Sequence, residues 1–355
     1  MRIAITGATG NVGTALLRRL AAEPDIEVLG IVRRLPQPGA GAPYEGVEWR
    51  SADLGDSGCV SSLVEWFTGV DAVVHLAWQV QPTRRPNRLR RTNVTGTRHV
   101  VRAMQEAGIR KLVYASSVGA YAPGPKDDRV NENWSTTGIG TSGYSVEKAA
   151  VEALLDGAER EHPELKVIRL RTALVFQRDA GAQLARYFLG RLAPLSVLRR
   201  RRLPVLPRNR RLRGQAVHAD DAAEAYLCAL RSDRVGAFNI AAEPVLDARL
   251  IAEELGGSTV PVPLSALRFM AKLAWDAGLV PTEPGWLDLT VSVPLVDCSR
   301  AEKELGWRPS RDARTAVRDL FSGIVAGAGT SSVPLRPGPR PAQRLRRRPA
   351  RHEPA

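Results

Sequence analysis

Cysteine is scarce in this chain. Only Cys59, Cys228 and Cys298 occur in 355 residues. They are odd in number and far apart, which excludes a disulfide framework and a cysteine metal cage. A reducing, cytoplasmic compartment is the expectation. The five histidines show no ligand spacing, so no metal is expected. No apolar run approaches the roughly 20 residues of a membrane span. No basic-plus-apolar leader stands ahead of "MRIAITG", so neither a signal peptide nor a membrane anchor is expected.

Lysine is scarce beside arginine, 6 residues against 45. Acid is missing where the base is densest. Residues 199–213, "RRRRLPVLPRNRRLR", hold eight arginines and no carboxylate, and residues 331–355 hold seven arginines and one glutamate. These two segments carry the whole net charge of +14, so the rest of the chain is neutral. Contact with an anion, a membrane surface or nucleic acid is one reading. Neither segment interleaves aromatics for base stacking. The reading adopted is therefore a solvated loop and a disordered tail, with no specific nucleic-acid partner and no membrane.

The apolar content, 44%, is ample for a large core. Strand-like apolar runs occur at Arg2–Gly7, Glu27–Val32, Val47–Asp53, Asp71–Ala77, Lys111–Ser117 and Lys166–Phe176. Helical periodicity fills Val12–Ala22, Ser57–Phe67, Arg90–Ala107 and Ser145–Arg160. Continuous apolar strands alternating with amphipathic helices predict an α/β fold, a doubly wound parallel sheet covered on both faces. Its ligand should lie at the carboxyl ends of the strands. After Phe176 the rhythm breaks. "AVHADDAAEAYLCALRS" predicts a short strand and a helix capped by Asp220 or Asp221, and "FNIAA" another strand. Residues 247–325 read as mostly helical. The predicted organisation is a Rossmann domain over 1–176, with sheet contributions from about 214–242. A smaller, mostly helical substrate lobe spans 177–325, and an Arg/Pro-rich disordered tail spans 326–355.

"AITGATGNVGTALLRRL" places Gly7, Gly10 and Gly13 between the first strand and first helix. Gly7 allows the sharp turn, Gly10 lets the backbone approach a pyrophosphate, and Gly13 lets helix and sheet pack closely. The helix N-terminus then meets phosphate with free N–H groups. The second strand should end on an acid that binds the adenosine ribose of NAD. From Val28 to Tyr44 there is no carboxylate. Arg33 and Arg34 follow the strand instead, where a 2′-phosphate would lie, which favours NADP over NAD. Asp53 in "SADL" is a candidate partner for the adenine amino group or a cap for the next helix. Ala77 in "HLAW" suits close passage of the cofactor. His75 reads as a packed core histidine.

"KLVYASSVGAY" puts Ser116 and Ser117 at the carboxyl end of the fifth strand. "TSGYSVEKAA" puts Tyr144 and Lys148 one turn apart on the next helix. An unperturbed tyrosine, pKa near 10, is a poor base at neutrality. A nearby ammonium favours the phenolate. Tyr144 would then exchange a proton with a substrate oxygen while hydride moves at its carbon. Ser117 would hydrogen-bond the same oxygen, and Lys148 would also hold the nicotinamide ribose.

These motifs resemble the extended short-chain dehydrogenase/reductase superfamily, specifically its NAD-dependent epimerase/dehydratase family. "TGATGNVG", "SADL", "HLA", "NVTGT", "YASS", "YSVEK", "VHADDAAEA" and "LGWRP" occur in the family's order over about residues 1–325. The resemblance implies cofactor roles for Gly7, Gly10, Asn11, Val12, Gly13, Asp53, Leu54, Ala77, Asn93 and Lys148. It implies catalytic roles for Ser117, Tyr144 and Lys148. Ala173, in "RLRTALVF", falls on the family's nicotinamide-side strand. A homodimer through the helices near 90–107 and 145–160 is also implied. The chain departs from nucleotide-sugar members after the sixth strand, where "RTALVFQRD" carries Leu174 and Gln177 instead of the Asn and Gly-Pro pattern. The expected function is an NAD(P)-dependent epimerase, dehydratase or oxidoreductase acting on a secondary alcohol or carbonyl, with a nucleotide sugar as one substrate class. A ketone or hydroxysteroid reductase and a non-catalytic dinucleotide sensor are the alternatives.

Overall fold

The computed structural model of the protein describes residues 1–81, 86–189 and 205–338. Among these, seven strands form one parallel sheet. In chain order they are β1 (Arg2–Thr6), β2 (Glu27–Val32), β3 (Glu48–Ser51), β4 (Ala72–His75), β5 (Lys111–Ser117), β7 (Lys166–Thr172) and β11 (Gly236–Ile240). Their spatial order is β11-β7-β5-β4-β1-β2-β3. The chain winds outward in one direction through β3, then returns to lay β4 against the other side of β1 in parallel register. The order reverses between β1 and β4, and in such sheets the ligand crevice lies there, at the carboxyl ends.

Helices cover both faces because the strands are apolar on both. On one side α1 (Asn11–Leu20) and α7 (Ala219–Arg231) bury Leu16, Leu20, Tyr226 and Leu230 with Trp307 against the sheet. On the other, α2 (Cys59–Trp66), α4 (Gly96–Glu106) and α5 (Gly143–Glu161) bury Leu63, Val100, Met104, Val151 and Leu155. A five-residue helix, α3 (Pro86–Arg90), and a π-turn (Arg91–Thr95) lead into α4.

The run predicted as one strand over Lys166–Phe176 is two. β7 stays in the main sheet, the chain breaks at Ala173, and β8 (Leu174–Phe176) pairs with β10 (Arg213–His218). β10 also pairs antiparallel with β12 (Ala242–Asp247) in a separate three-stranded sheet. Neither predicted aspartate caps α7. The cap is His218, whose Nδ1 accepts from the Asp220 N–H at 3.1 Å. Asp221 is buried and accepts instead from the backbone N–H groups of Ser310 and Arg311, both at 3.0 Å.

The remaining elements are β6 (Arg129–Val130), α6 (Gly181–Leu184), β9 (Leu206–Arg208), α8 (Ala248–Leu255), β13 (Thr259–Pro261), α9 (Leu264–Asp276), α10 (Gly285–Ser292), β14 (Leu295–Val296), α11 (Ser299–Leu305) and α12 (Ala313–Ala326). Of the basic segment 199–213, residues 199–204 lie outside the described residues. The rest is not a free loop: Arg208 ends β9, and Arg213 opens β10 and bonds the Lys126 carbonyl and the Asp127 carboxylate. The tail expected to be disordered from 326 is packed as far as it is described. Ser332 and Leu335 are wholly buried, and residues 339–355 lie outside the described residues.

Candidate functional site

The glycine turn opens the site. Gly7 has φ +72°, and a Cβ there would stand 2.7 Å from the Ala77 backbone. A Cβ on Gly13 would stand 2.5 Å from the Ala8 carbonyl oxygen. The fold itself therefore requires glycine at both positions, and Ala77 is pressed against the turn. Gly10 differs: its added Cβ would meet only the Gly7 oxygen, at 3.3 Å. The space above Gly10 is left for something else, beside the first-turn N–H groups of α1 that no intrahelical carbonyl reaches. A cofactor pyrophosphate fits that cradle.

Gln177, a departure from nucleotide-sugar members, braces the turn. Its Nε2 donates to the carbonyl and to the side-chain oxygen of Asn11, both at 2.8 Å, while Asn11 Nδ2 donates to the Val175 carbonyl at 2.9 Å. Val12 follows, partly buried against the sheet. Asp53 is exposed, and its Oδ1 accepts from the Gly55 N–H at 3.0 Å. It closes a local turn and does not cap α2, whose N-cap is Gly58. Leu54 is buried in the core and offers its carbonyl to His99 Nδ1 at 2.8 Å.

Asn93, in the π-turn, is fully engaged by protein. Its Oδ1 accepts from the Gln79 N–H at 2.7 Å, and its Nδ2 donates to the Gln79 carbonyl and to Glu147 Oε2. It ties the segment after β4 to α5 and so fixes the depth of the cleft. Ala173 is buried in a satellite cluster with Tyr121, Val130, Ala241 and Val296. His75 is held between the Thr6 and Thr97 hydroxyls, and burial, aided by Lys148, pulls its pKa down to about 3. It is a neutral core group.

Ser116 and Ser117 diverge, as neighbours on a strand must. Ser116 donates to Glu152, itself clamped by Arg171 through two bonds of 3.0 Å. Ser117 is turned the other way. Its Oγ accepts from the Gly119 N–H at 3.0 Å, and its hydroxyl donates to the Thr172 carbonyl at 3.5 Å. The Tyr144 ring sits over Gly119, where a Cβ would stand 2.8 Å from Cε1. Burial raises the Tyr144 pKa, and the neighbouring Ser117 hydroxyl opposes this in part.

Lys148 is engaged by the protein itself. Its Nζ donates to the Ala115 carbonyl at 2.6 Å and to the Tyr114 hydroxyl at 3.3 Å. It also lies 3.5 Å from the centre of the Trp78 ring, a cation–π contact. Burial pulls Lys148 down to about 7, opposed by Glu152 and Glu147.

An aromatic wall around Tyr144 was missed in the sequence. Trp78 meets its ring edge-on at 6.1 Å, Trp286 lies tilted at 5.3 Å, and Phe188 meets Trp286 edge-on at 5.1 Å. The Trp78 indole N–H is buried and finds no partner among the described residues. A buried donor left unsatisfied in this way is unusual in a folded protein.

Arg33 and Arg34 leave the end of β2 and line a cavity of about 340 Å³ with Thr9 of the glycine turn, Gln81, Arg186 and Arg336. Among the described residues, no His/Cys/Asp/Glu cluster could hold a metal and no helix is long and apolar enough to cross a membrane.

A glycine cradle at the reversal point of a parallel sheet defines a nucleotide-binding α/β protein. The chain belongs to the NAD dependent epimerase/dehydratase family, whose profile matches residues 3–241. It is similar to an uncharacterized protein of Mycobacterium tuberculosis, 29% identical over 343 residues, covering 95% of this chain and 32% of that one. The chain thus spans about a third of the length of that relative. It is also similar to a UDP-glucose 4-epimerase of Erwinia amylovora, 26% identical over 355 residues, covering 91% and 97% of the two chains. Among solved structures, a UDP-glucose 4-epimerase of Thermotoga maritima with UDP-glucose shares the fold with TM-score 0.69 at 19% identity, covering 91% and 98%. The dTDP-glucose 4,6-dehydratase of Streptomyces venezuelae with NAD bound does so with TM-score 0.67 at 20% identity, covering 91% and 96%.

Proposed function

We propose that the protein is an NAD(P)-dependent oxidoreductase in which Tyr144 exchanges a proton with a substrate oxygen. The observation that carries this is the placement of the Ser117 hydroxyl and the Tyr144 ring side by side against Gly119, at the carboxyl edge of β5, on the same edge of the sheet as the cradle above Gly10. A nicotinamide cofactor, when bound, supplies or accepts the hydride. The protein supplies the rest. Ser117 and Tyr144 present two hydroxyls to one substrate oxygen. Lys148, one turn along α5, stands by the Ala115 carbonyl, placed to hold the cofactor ribose.

One observation favours carbonyl reduction over nucleotide-sugar epimerisation. The walls of Trp78, Trp286 and Phe188 suit a flat, apolar carbonyl compound. The arginines after β2, with no acid from 28 to 44, support NADPH as reductant. A homodimer through α4 and α5 belongs to the same reading, and light scattering checks it.

Tyr144→Phe tests the reading. Turnover of a carbonyl panel with NADPH should fall by about 10²–10⁴-fold, with cofactor affinity within about twofold of wild type. Full retention of turnover in Tyr144→Phe rejects the mechanism.

A further inference from the structure

The cavity beside Arg33 and Arg34 is lined in part by a segment of the chain that lies beyond α12, outside the sheet and outside the family match at 3–241. This segment is built, not draped. Thr330 donates its N–H to the Leu335 carbonyl at 2.8 Å, and Gly338 donates to the Gly327 carbonyl at 3.0 Å. Glycine is required at 329, where a Cβ would meet the Leu335 carbonyl at 2.1 Å. Ser332 and Leu335 are wholly buried.

Its contacts converge on the cofactor side. The Ser332 hydroxyl donates to the Thr9 carbonyl, in the glycine turn, at 3.0 Å. The Thr330 hydroxyl meets the Tyr44 hydroxyl at 2.7 Å, and Tyr44 meets Thr14 of α1 at 3.0 Å. Ser331 donates to the Ala40 carbonyl at 2.8 Å. From the opposite wall, Arg186 in the π-turn Ala185–Leu189 donates to the carbonyls of Pro334 and Arg336, both at 2.9 Å. The segment therefore straps the glycine turn to the β2–β3 connection and to the start of the substrate lobe.

Four arginines line this one cavity, Arg33, Arg34, Arg186 and Arg336, and no carboxylate lines it among the described residues. Such a set repels itself: burial and the Arg336 charge together lower the Arg186 pKa. A pyrophosphate alone is met by the first turn of α1 and does not call for four cations. A phosphate monoester carries close to two charges at neutrality and takes guanidinium forks bidentately.

We infer that residues 327–338 are a fixed part of the cofactor site, and that Arg336, with Arg186, selects a cofactor bearing a phosphate monoester on its adenosine ribose. The inference rests on the NADP reading above and extends it to a segment distant in sequence. The backbone docks the strap, and the Arg336 side chain supplies charge.

The test uses the full chain and two probes, 2′,5′-ADP and 5′-ADP, which differ only in the monoester. Binding is measured by calorimetry on wild type, Arg33→Ala, Arg336→Ala and Arg336→Gln. The last two variants keep the carbonyl that Arg186 grips, and melting curves verify their folding. Wild type should prefer 2′,5′-ADP. Both Arg336 variants should weaken 2′,5′-ADP by roughly tenfold, the loss of one charge-assisted contact, and change 5′-ADP by less than about twofold. If Arg33→Ala costs 2′,5′-ADP affinity and the Arg336 variants do not, the strap inference fails and the NADP reading stands. If the Arg336 variants weaken both probes equally, the monoester assignment fails. If wild type does not distinguish the probes, the NADP reading fails and takes this inference with it.

Discussion

Lys148 stands one helical turn beyond Tyr144, yet its ammonium is 2.6 Å from the Ala115 carbonyl and 3.5 Å from the centre of the Trp78 ring. The pair shares a helix face without sharing a charge contact. Lys148 anchors α5 to the end of β5, and the Tyr144 ring packs against Gly119.

That position makes Lys148 a liability for folding. Its pKa is about 7 in the fold and 10.5 as the free side chain. Between those values the unfolded chain binds the proton more strongly than the folded one. Stability therefore rises with pH from about 7 to about 10.5, and the lysine's contribution is at its worst below 7. Lys148→Met removes this term. Chemical denaturation at pH 7 and pH 10 should show a wild-type gain from Lys148 of the order of a few kcal/mol, reduced in the variant. Identical pH slopes for the two proteins would contradict the assignment. Lys126, pulled down to about 7 by burial, keeps its own share in both.

Gly119 holds the seat of the phenol. A Cβ there would stand 2.8 Å from Tyr144 Cε1, so Gly119→Ala must push the ring off Ser117. A displacement of about 1 Å in a reacting group can cost roughly 10²-fold in rate. The variant should lose kcat by that factor with nearly unchanged cofactor affinity, as read by steady-state kinetics and NADPH titration. An unaltered kcat would mean that the ring position does not matter to turnover.

The parallel sheet was legible because its strands are apolar runs that need no partner identified to be recognised. Three of them, at β2, β5 and the start of β7, have the edges the pattern predicts. The glycine turn was legible because Gly7 and Gly13 answer clashes within a single strand-turn-helix unit. The rest depended on distance in sequence. Trp78, Phe188 and Trp286 come from three separate segments, and nothing local in any of them points to Tyr144. The strap hides in a stretch whose prolines and arginines read as disorder, while the hydroxyls of Thr330, Ser331 and Ser332 do the docking. The acceptors of Lys148, the Ala115 carbonyl and the Tyr114 hydroxyl, were not legible, because helical spacing fixes which face a side chain is on, not which acceptor a flexible ammonium takes. The break at Ala173 was invisible because the strand-like pattern runs on through it, and only pairing with β10 separates β8 from β7.

Glu152 is the buried counter-ion of the region under the site. It accepts two bonds of 3.0 Å from Arg171 and one from Ser116, and Arg169 Nε lies 3.4 Å away. Its pKa is lowered by these partners against the effect of burial. Glu152→Gln keeps the shape and leaves Arg171 without its charge partner. Breaking one half of a buried pair typically costs about 3–5 kcal/mol. Urea unfolding should show a loss of that order, and a loss under about 1 kcal/mol would mean that water reaches Arg171.

The three glycines of the first turn should separate by phenotype. Gly7 has φ +72°, and a Cβ on it would stand 2.7 Å from the Ala77 backbone, while a Cβ on Gly13 would stand 2.5 Å from the Ala8 oxygen. Gly7→Ala and Gly13→Ala must move backbone, so both should lower stability by about 1–3 kcal/mol whether or not cofactor is present. Gly10→Ala meets only the Gly7 oxygen, at 3.3 Å, and takes up the space of the cradle. It should melt within a few degrees of wild type and bind NADPH at least about tenfold more weakly, the cost of pushing a pyrophosphate off the helix N-terminus. Melting curves in the absence and presence of NADPH read both effects at once. Gly10→Ala alone should lose the cofactor-induced rise without losing the starting value. If Gly10→Ala instead destabilises the protein as much as Gly13→Ala and binds NADPH normally, the glycine at 10 serves the fold, and the cradle lies elsewhere along the sheet edge.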